Sequence, residues 1–137
     1  MTAPSPDTGS RPSDASRLRL GRSMRLAQSR DFSRVRQAGD RLVHGCLIAN
    51  WQKLPAGAQS RLGVVTSKKI GGAVVRSRAR RLLRETFRQH QYDFNQPVDM
   101  VLVARNSIAG KHFADVEKDF LTVLKRAGLY KAMPANS

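Results

Sequence analysis

From Val74 to about Tyr92 the chain runs without glycine or proline, and arginine recurs every four residues at Arg76, Arg80, Arg84 and Arg88. That spacing predicts a long helix. With Arg76 at 0° and about 100° per residue, Val75, Ala79, Leu82, Leu83, Thr86 and Phe87 share one arc, while Arg78, Arg80, Arg81, Arg84, Glu85 and Arg88 share the opposite one. A charged helical face is ordinarily a solvated surface. Here like charges stand at i and i+4, which destabilises an isolated helix, and Glu85 is the only acid among them. A surface built for stability alone would intersperse acids. Arginine also suits phosphate, because a planar fork grips two oxygens and stays charged. The face is therefore expected to bind a phosphate backbone.

Charge distribution points the same way. Residues 61–90 hold nine basic residues against one acid, more than half of the chain's formal net charge of +15. Such a surface attracts polyanions, nucleic acid above all. The length, 137 residues, suits one domain, and 40% hydrophobic residues suffice for one modest core. The longest apolar stretches, such as Val101 to Ala104, fall far short of the ~20 residues of a membrane helix, and the Pro/Ser-rich start has no apolar signal region. No membrane partner is expected. A single cysteine, Cys46, excludes an internal disulfide and suits a reducing compartment, so the expected location is the cytoplasm. Residues 1–19 mix proline, serine and glycine with few apolar side chains and are expected to form a flexible tail. Residues 20–130 are expected to form the folded domain, and 131–137 a second short tail.

Within the domain, Ser29 reads as the N-cap of a short helix carrying Phe32, Val35 and Ala38, with Gly39 as a left-handed terminator. Arg41 to Trp51 reads as one strand, Leu54-Pro55-Ala56-Gly57 as a break, and Arg61 to Ser67 as a second strand, the two forming a hairpin. The long basic helix follows Gly71-Gly72. Val98 to Ala104 reads as a compact apolar strand. Val116, Phe120, Val123, Leu124 and Ala127 then recur at helical spacing up to Gly128. The expected order is α-β-β-α-β-α, an α+β sandwich of helices on a small sheet. Trp51 is expected in the core.

Ser67-Lys68-Lys69 and Gly71-Gly72 bring two ammoniums and backbone N–H groups toward the start of the basic helix, although the spacing is not that of a P-loop. The whole block from Arg61 to Glu85, with its Thr66-Ser67-Lys68-Lys69-Ile70-Gly71-Gly72 core and Arg76-Ser77-Arg78 motif, resembles the signature of the bacterial ribonuclease P protein subunit. The similarity extends more loosely from about Leu26 to Gly128. The resemblance implies a protein without an active site of its own, bound to a catalytic RNA that removes the 5′ leader of precursor tRNA. Magnesium would be held mainly by the RNA, and no cofactor by the protein alone. It also implies a left-handed crossover carrying the basic helix, against a rule obeyed in ~98% of such connections.

Carried over by position, Arg76, Ser77, Arg78, Arg81, Lys68 and Lys69 would contact the catalytic RNA. A cleft between the first helix and the sheet would receive the leader, with Phe32, Arg36 and Asn50 in it and Arg80 and Arg84 toward the leader or the metal-rich junction. Ser77 stands where the family motif has asparagine. Arg36 and Asn50 stand where aromatics are common, so leader binding is expected to rely on charge and hydrogen bonds more than on stacking.

Other classes fit less well. A self-sufficient metal nuclease needs clustered carboxylates, whereas the acids here are scattered. Asp115 and Asp119, at the start of the last helix, read as dipole partners. His44, His90 and His112 show no ligand or triad spacing, and Cys46 has no evident base. A helix-turn-helix would need a second helix just before the reader, and an aromatic RNA platform would need more than 6% aromatic residues. A general basic RNA-binding or ribosome-associated protein is the alternative that shares the charge and size.

Overall fold

The structure, a computed structural model, describes residues 24–26 and 28–131. The tail expected at 1–19 lies outside them, as does all of the second tail except Lys131.

The strand Val98–Ala104 (β4) organises the sheet. Six of its seven residues are buried, so it has no face to offer to water and must be covered on both sides. It pairs antiparallel with Leu47–Lys53 (β2) and parallel with Arg61–Val65 (β3). Asp40–His44 (β1) completes the order β1-β2-β4-β3. Three helices, Ser29–Ala38 (α1), Ala73–His90 (α2) and Phe113–Ala127 (α3), cover this sheet.

The α+β class stands, but the order is α-β-β-β-α-β-α rather than α-β-β-α-β-α. The segment Arg41 to Trp51 is two strands, because Gly45 adopts φ +57 and turns the chain back within an otherwise unbroken stretch of β-formers. The expected hairpin between that segment and Arg61 to Ser67 does not form; β3 lies on the other side of β4. Two termini of α1 also differ. Gln28, not Ser29, precedes the helix, and no side chain caps it. Gly39 is extended at φ −95, not left-handed. Its glycine character answers a close approach instead, since a Cβ there would lie 2.1 Å from the Trp51 carbonyl oxygen. Gly128 is left-handed at φ +75, as the C-terminus of α3 required.

The sheet separates two unequal cores. On one face twenty buried side chains, among them Leu83 and Phe87 of α2, Phe120 and Leu124 of α3, and Trp51, Met100 and Leu102 of the sheet, form one cluster. Trp51 is 5% exposed, as expected of a core residue, and its Nε1 has no hydrogen-bond partner among the described residues. Phe87 and Phe120 both meet Phe94, with ring centroids 5.6 and 6.2 Å apart. On the other face α1 covers only Leu26, Val35 and Val101, with Phe32, Val65 and Val103 around them. At about 1.5–3 kcal/mol per fully buried large aliphatic or aromatic side chain, the first core dominates stability. The second is a thin seam.

Candidate nucleic-acid interface

The basic helix is reached from β3 through a single 3-10 turn, Lys68–Ile70, and Gly71 at φ +144, a conformation that a β-carbon would strain. Buried Ile70 pins this turn to the core, leaving Lys68 and Lys69 exposed on its outside. Along α2 the buried positions are Ala79, Leu83, Thr86 and Phe87, one face of an 18-residue helix. Thr86 satisfies its own hydroxyl by donating to the Leu82 carbonyl at 2.8 Å.

On the outer face three guanidiniums are held by neutral oxygens. Arg76 donates to the Gly71 carbonyl at 3.1 Å and Arg78 to the Lys111 carbonyl. Arg80 donates to Thr66 Oγ1 at 2.9 Å and to Ser77 Oγ at 3.2 Å. Each of these bonds orients a side chain without cancelling its charge. Arg81 and Arg84 are exposed. The Glu85 carboxylate instead binds Arg88 and the Gln89 amide. The Arg88 hydrogen bond, against the opposing effect of burial, takes the Glu85 pKa down to about 2, so this acid is ionised and committed to its neighbours.

Ser77, Arg80, Arg81, Arg84, Glu85 and Arg88 line a concavity of about 390 Å³, and Arg25 closes it. Arg25 arrives because the chain before α1 runs parallel to β3, with the Leu26 N–H donating to the Leu62 carbonyl at 2.8 Å. Sequence reasoning assigned this arginine no role. It stands outside the periodic segments, and only pairing with an edge strand brings it to the groove. Burial, then repulsion from Arg25 and Arg80, lowers the pKa of Arg84. An anion entering the groove relieves that repulsion.

The cleft residues fare differently. The Phe32 ring lies on Gly63 of β3, where a Cβ would sit 2.6 Å from its Cζ. Arg36 is exposed one helical turn further on. Asn50 is 3% exposed on the α1 face of β2, so its position as a leader contact is corrected to that of a buried support. Behind α1 lies a group that sequence reasoning missed. Asp99 is fully buried; its Oδ2 accepts from Arg34 Nη2 and Arg61 Nη2 at 2.7 Å each, and its Oδ1 from Arg61 Nε at 2.9 Å. Arg34 also donates to Gln52 Oε1 at 3.0 Å and approaches Asp31 at 3.4 Å. The Asp99 hydrogen bonds raise the Arg61 pKa despite burial. A lone acid inside an apolar strand was the available signal, because a buried carboxylate requires partners.

The other singled-out groups are structural. Asp115 accepts the His112 N–H at 3.0 Å at the start of α3. Asp119, expected as a dipole partner, instead accepts the Cys46 N–H at 3.0 Å and so ties α3 to the β1–β2 turn. Burial pushes the Cys46 thiol up to about 12, with Asp119 adding to the shift, which removes its nucleophilicity at neutral pH. His90 stands between Asp93 at 2.6 Å and Glu117 at 2.7 Å, bridging the end of α2 to α3. Among the described residues no three His, Cys, Asp or Glu side chains are placed to hold a metal ion, and no helix is long and apolar enough to cross a membrane.

These features define a class: a small α+β domain that presents an arginine-lined helix and groove beside a sheet. The Ribonuclease P family model matches residues 20–128. The ribonuclease P protein component of Syntrophomonas wolfei is 38% identical over 111 residues, 81% of this chain and 92% of the relative. That of Brevibacillus brevis is 34% identical over 118 residues, 86% and 94%. The fold superposes on the RNase P protein of Staphylococcus aureus with TM-score 0.70 at 25% identity, covering 78% of this chain and 97% of the other. For the RNase P protein of Thermotoga maritima the values are 0.66, 30%, 74% and 96%. The chain belongs to the ribonuclease P protein component family, the protein part of a tRNA-processing endoribonuclease.

Proposed function

We propose that this protein is the auxiliary subunit of a ribonucleoprotein nuclease, binding its catalytic RNA through one end of α2 and the 5′ leader of precursor tRNA through the cleft beside α1. Arg76, Ser77, Arg78, Arg81, Lys68 and Lys69 contact the catalytic RNA. Phe32, Arg36, Arg80 and Arg84 face the leader, joined by Arg25, while Asn50 supports the cleft from beneath. The observation that carries this reading is the way Arg76, Arg78 and Arg80 are held: oriented by neutral acceptors, with their charge left for phosphate.

Hydrolysis belongs to the RNA and its magnesium. The groove does not fit a magnesium ion as a protein-bound cofactor: its lining is guanidinium, and its one carboxylate, Glu85, is engaged by Arg88 and Gln89. The protein's work is therefore to bring two polyanions together by screening their repulsion and to orient the leader. The domain acting in this way is residues 20–130, working in the cytoplasm.

The test is an affinity comparison. Arg76→Ala combined with Arg78→Ala weakens binding to the catalytic RNA far more than to an unrelated RNA of equal length. Equal losses on both would return the protein to a general basic RNA-binding role. The protein freed of RNA leaves precursor tRNA uncut at every magnesium concentration.

A further inference from the structure

We propose that Asp99 is a positioning residue for leader recognition: from behind α1 it fixes the helix that presents Phe32 and Arg36 to the cleft. This rests on the reading that the leader occupies that cleft.

Helical geometry separates the two sides of α1. Phe32 and Arg36 lie within about 40° of each other, Val35 points to the sheet, and Arg34 lies about 160° from Phe32. Arg34 is thus the rear attachment of α1, and it is held three ways, by Asp99, Gln52 and Asp31. Apolar packing alone defines the pose of α1 weakly, since three buried hydrophobic side chains stand on this face against twenty on the other. A seam that thin lets a helix rock. The clamp removes that freedom because both Nη2 atoms meet one oxygen at 2.7 Å, and Arg61 anchors that oxygen to β3. Phe32 rests on Gly63, two residues along β3 from Arg61. The strand that holds the clamp therefore also carries the ring, and a shift of α1 moves the ring off its seat. The arginines are not themselves the leader's anion site: Asp99 and Asp31 already balance their charge.

The decisive measurement is steady-state cleavage by the reconstituted holoenzyme, with precursor tRNA carrying either a leader of several nucleotides or a single-nucleotide leader. Arg34→Gln is the first variant, because it leaves Asp99 paired with Arg61 and creates no orphaned buried charge. It should raise KM for the long leader by about fivefold or more, the loss of one well-placed base contact. The KM for the short leader, kcat and affinity for the catalytic RNA should stay unchanged. Arg34→Lys, which keeps the charge facing Asp99, should recover most of the loss, and Asp99→Asn should reproduce or exceed it wherever the variant folds. Equal KM changes on both substrates, or none with Arg34→Gln, overturn the proposal while the cleft reading stands. A wild-type holoenzyme indifferent to leader length overturns the cleft reading, and this proposal with it.

Discussion

The α2 face and the clamp behind α1 use the same side chain to opposite ends. On α2, Arg76, Arg78 and Arg80 bind carbonyl and hydroxyl oxygens, which orient the guanidinium and leave its charge intact. Behind α1, Arg34 and Arg61 share one buried carboxylate, their side chains 39% and 35% exposed, and their charge is spent inside the molecule. The partner's charge, more than the arginine's exposure, decides whether the residue serves binding or architecture. An arginine held by a neutral acceptor is preorganised for a polyanion. One held by a buried carboxylate is a strut whose removal exposes an unpaired charge.

This contrast is open to direct attack. Asp99→Ala should cost about 1.5–3 kcal/mol of unfolding free energy by urea titration, because it removes the charged hydrogen bonds of two guanidiniums that water partly screens. A loss like that of an ordinary surface site would break the distinction. The double change Arg76→Ala and Arg78→Ala should do the reverse, leaving urea stability nearly intact while cutting affinity for the catalytic RNA by about 100-fold, since a charge-assisted hydrogen bond is worth about 1.5–3 kcal/mol. With about six phosphates contacted, wild-type affinity should itself fall ~10³-fold or more between 50 and 200 mM salt, and a flat salt response would contradict the electrostatic account.

Gly63→Ala sharpens the comparison between faces. Its Cβ would lie 2.6 Å from the Phe32 ring, so stability should fall by about 1–3 kcal/mol. Binding of leader-bearing substrate should weaken, with catalytic-RNA affinity retained.

The smallest effect belongs to His90. Burial opposes its charge, but Asp93 and Glu117 prevail and raise its pKa above 6.5. A raised native pKa stabilises the fold fully below 6.5, and this contribution fades as pH climbs through the native value. Denaturation of wild type and His90→Gln should therefore differ most below 6.5 and converge well above it.

Much of this was legible in one dimension. The periodicity of α2 separated Ala79, Leu83 and Phe87 from the arginines, and burial follows that division. The apolar run of β4 and the stop at Gly128 were equally readable. Misreadings arose where a single residue changed the meaning of its neighbours. Gly45 splits a run of β-formers that carries no other break, and Gly39 answers the Trp51 carbonyl across space rather than its own φ. Asn50 was placed in the cleft by the family resemblance, and a matching position in a motif does not tell whether a helix covers that face of the strand.

Local composition and period thus determined the helices, the strongest strand and the cationic stripe, since these depend on neighbours within a few positions. Tertiary structure alone decided that β3 joins β4, that Arg25 enters the groove and that Asp99 unites Arg34 with Arg61. Those pairings span from 37 to 65 positions, and each is selected by the need to bury a strand edge, a charge or a ring against something distant in the chain, which no local pattern encodes.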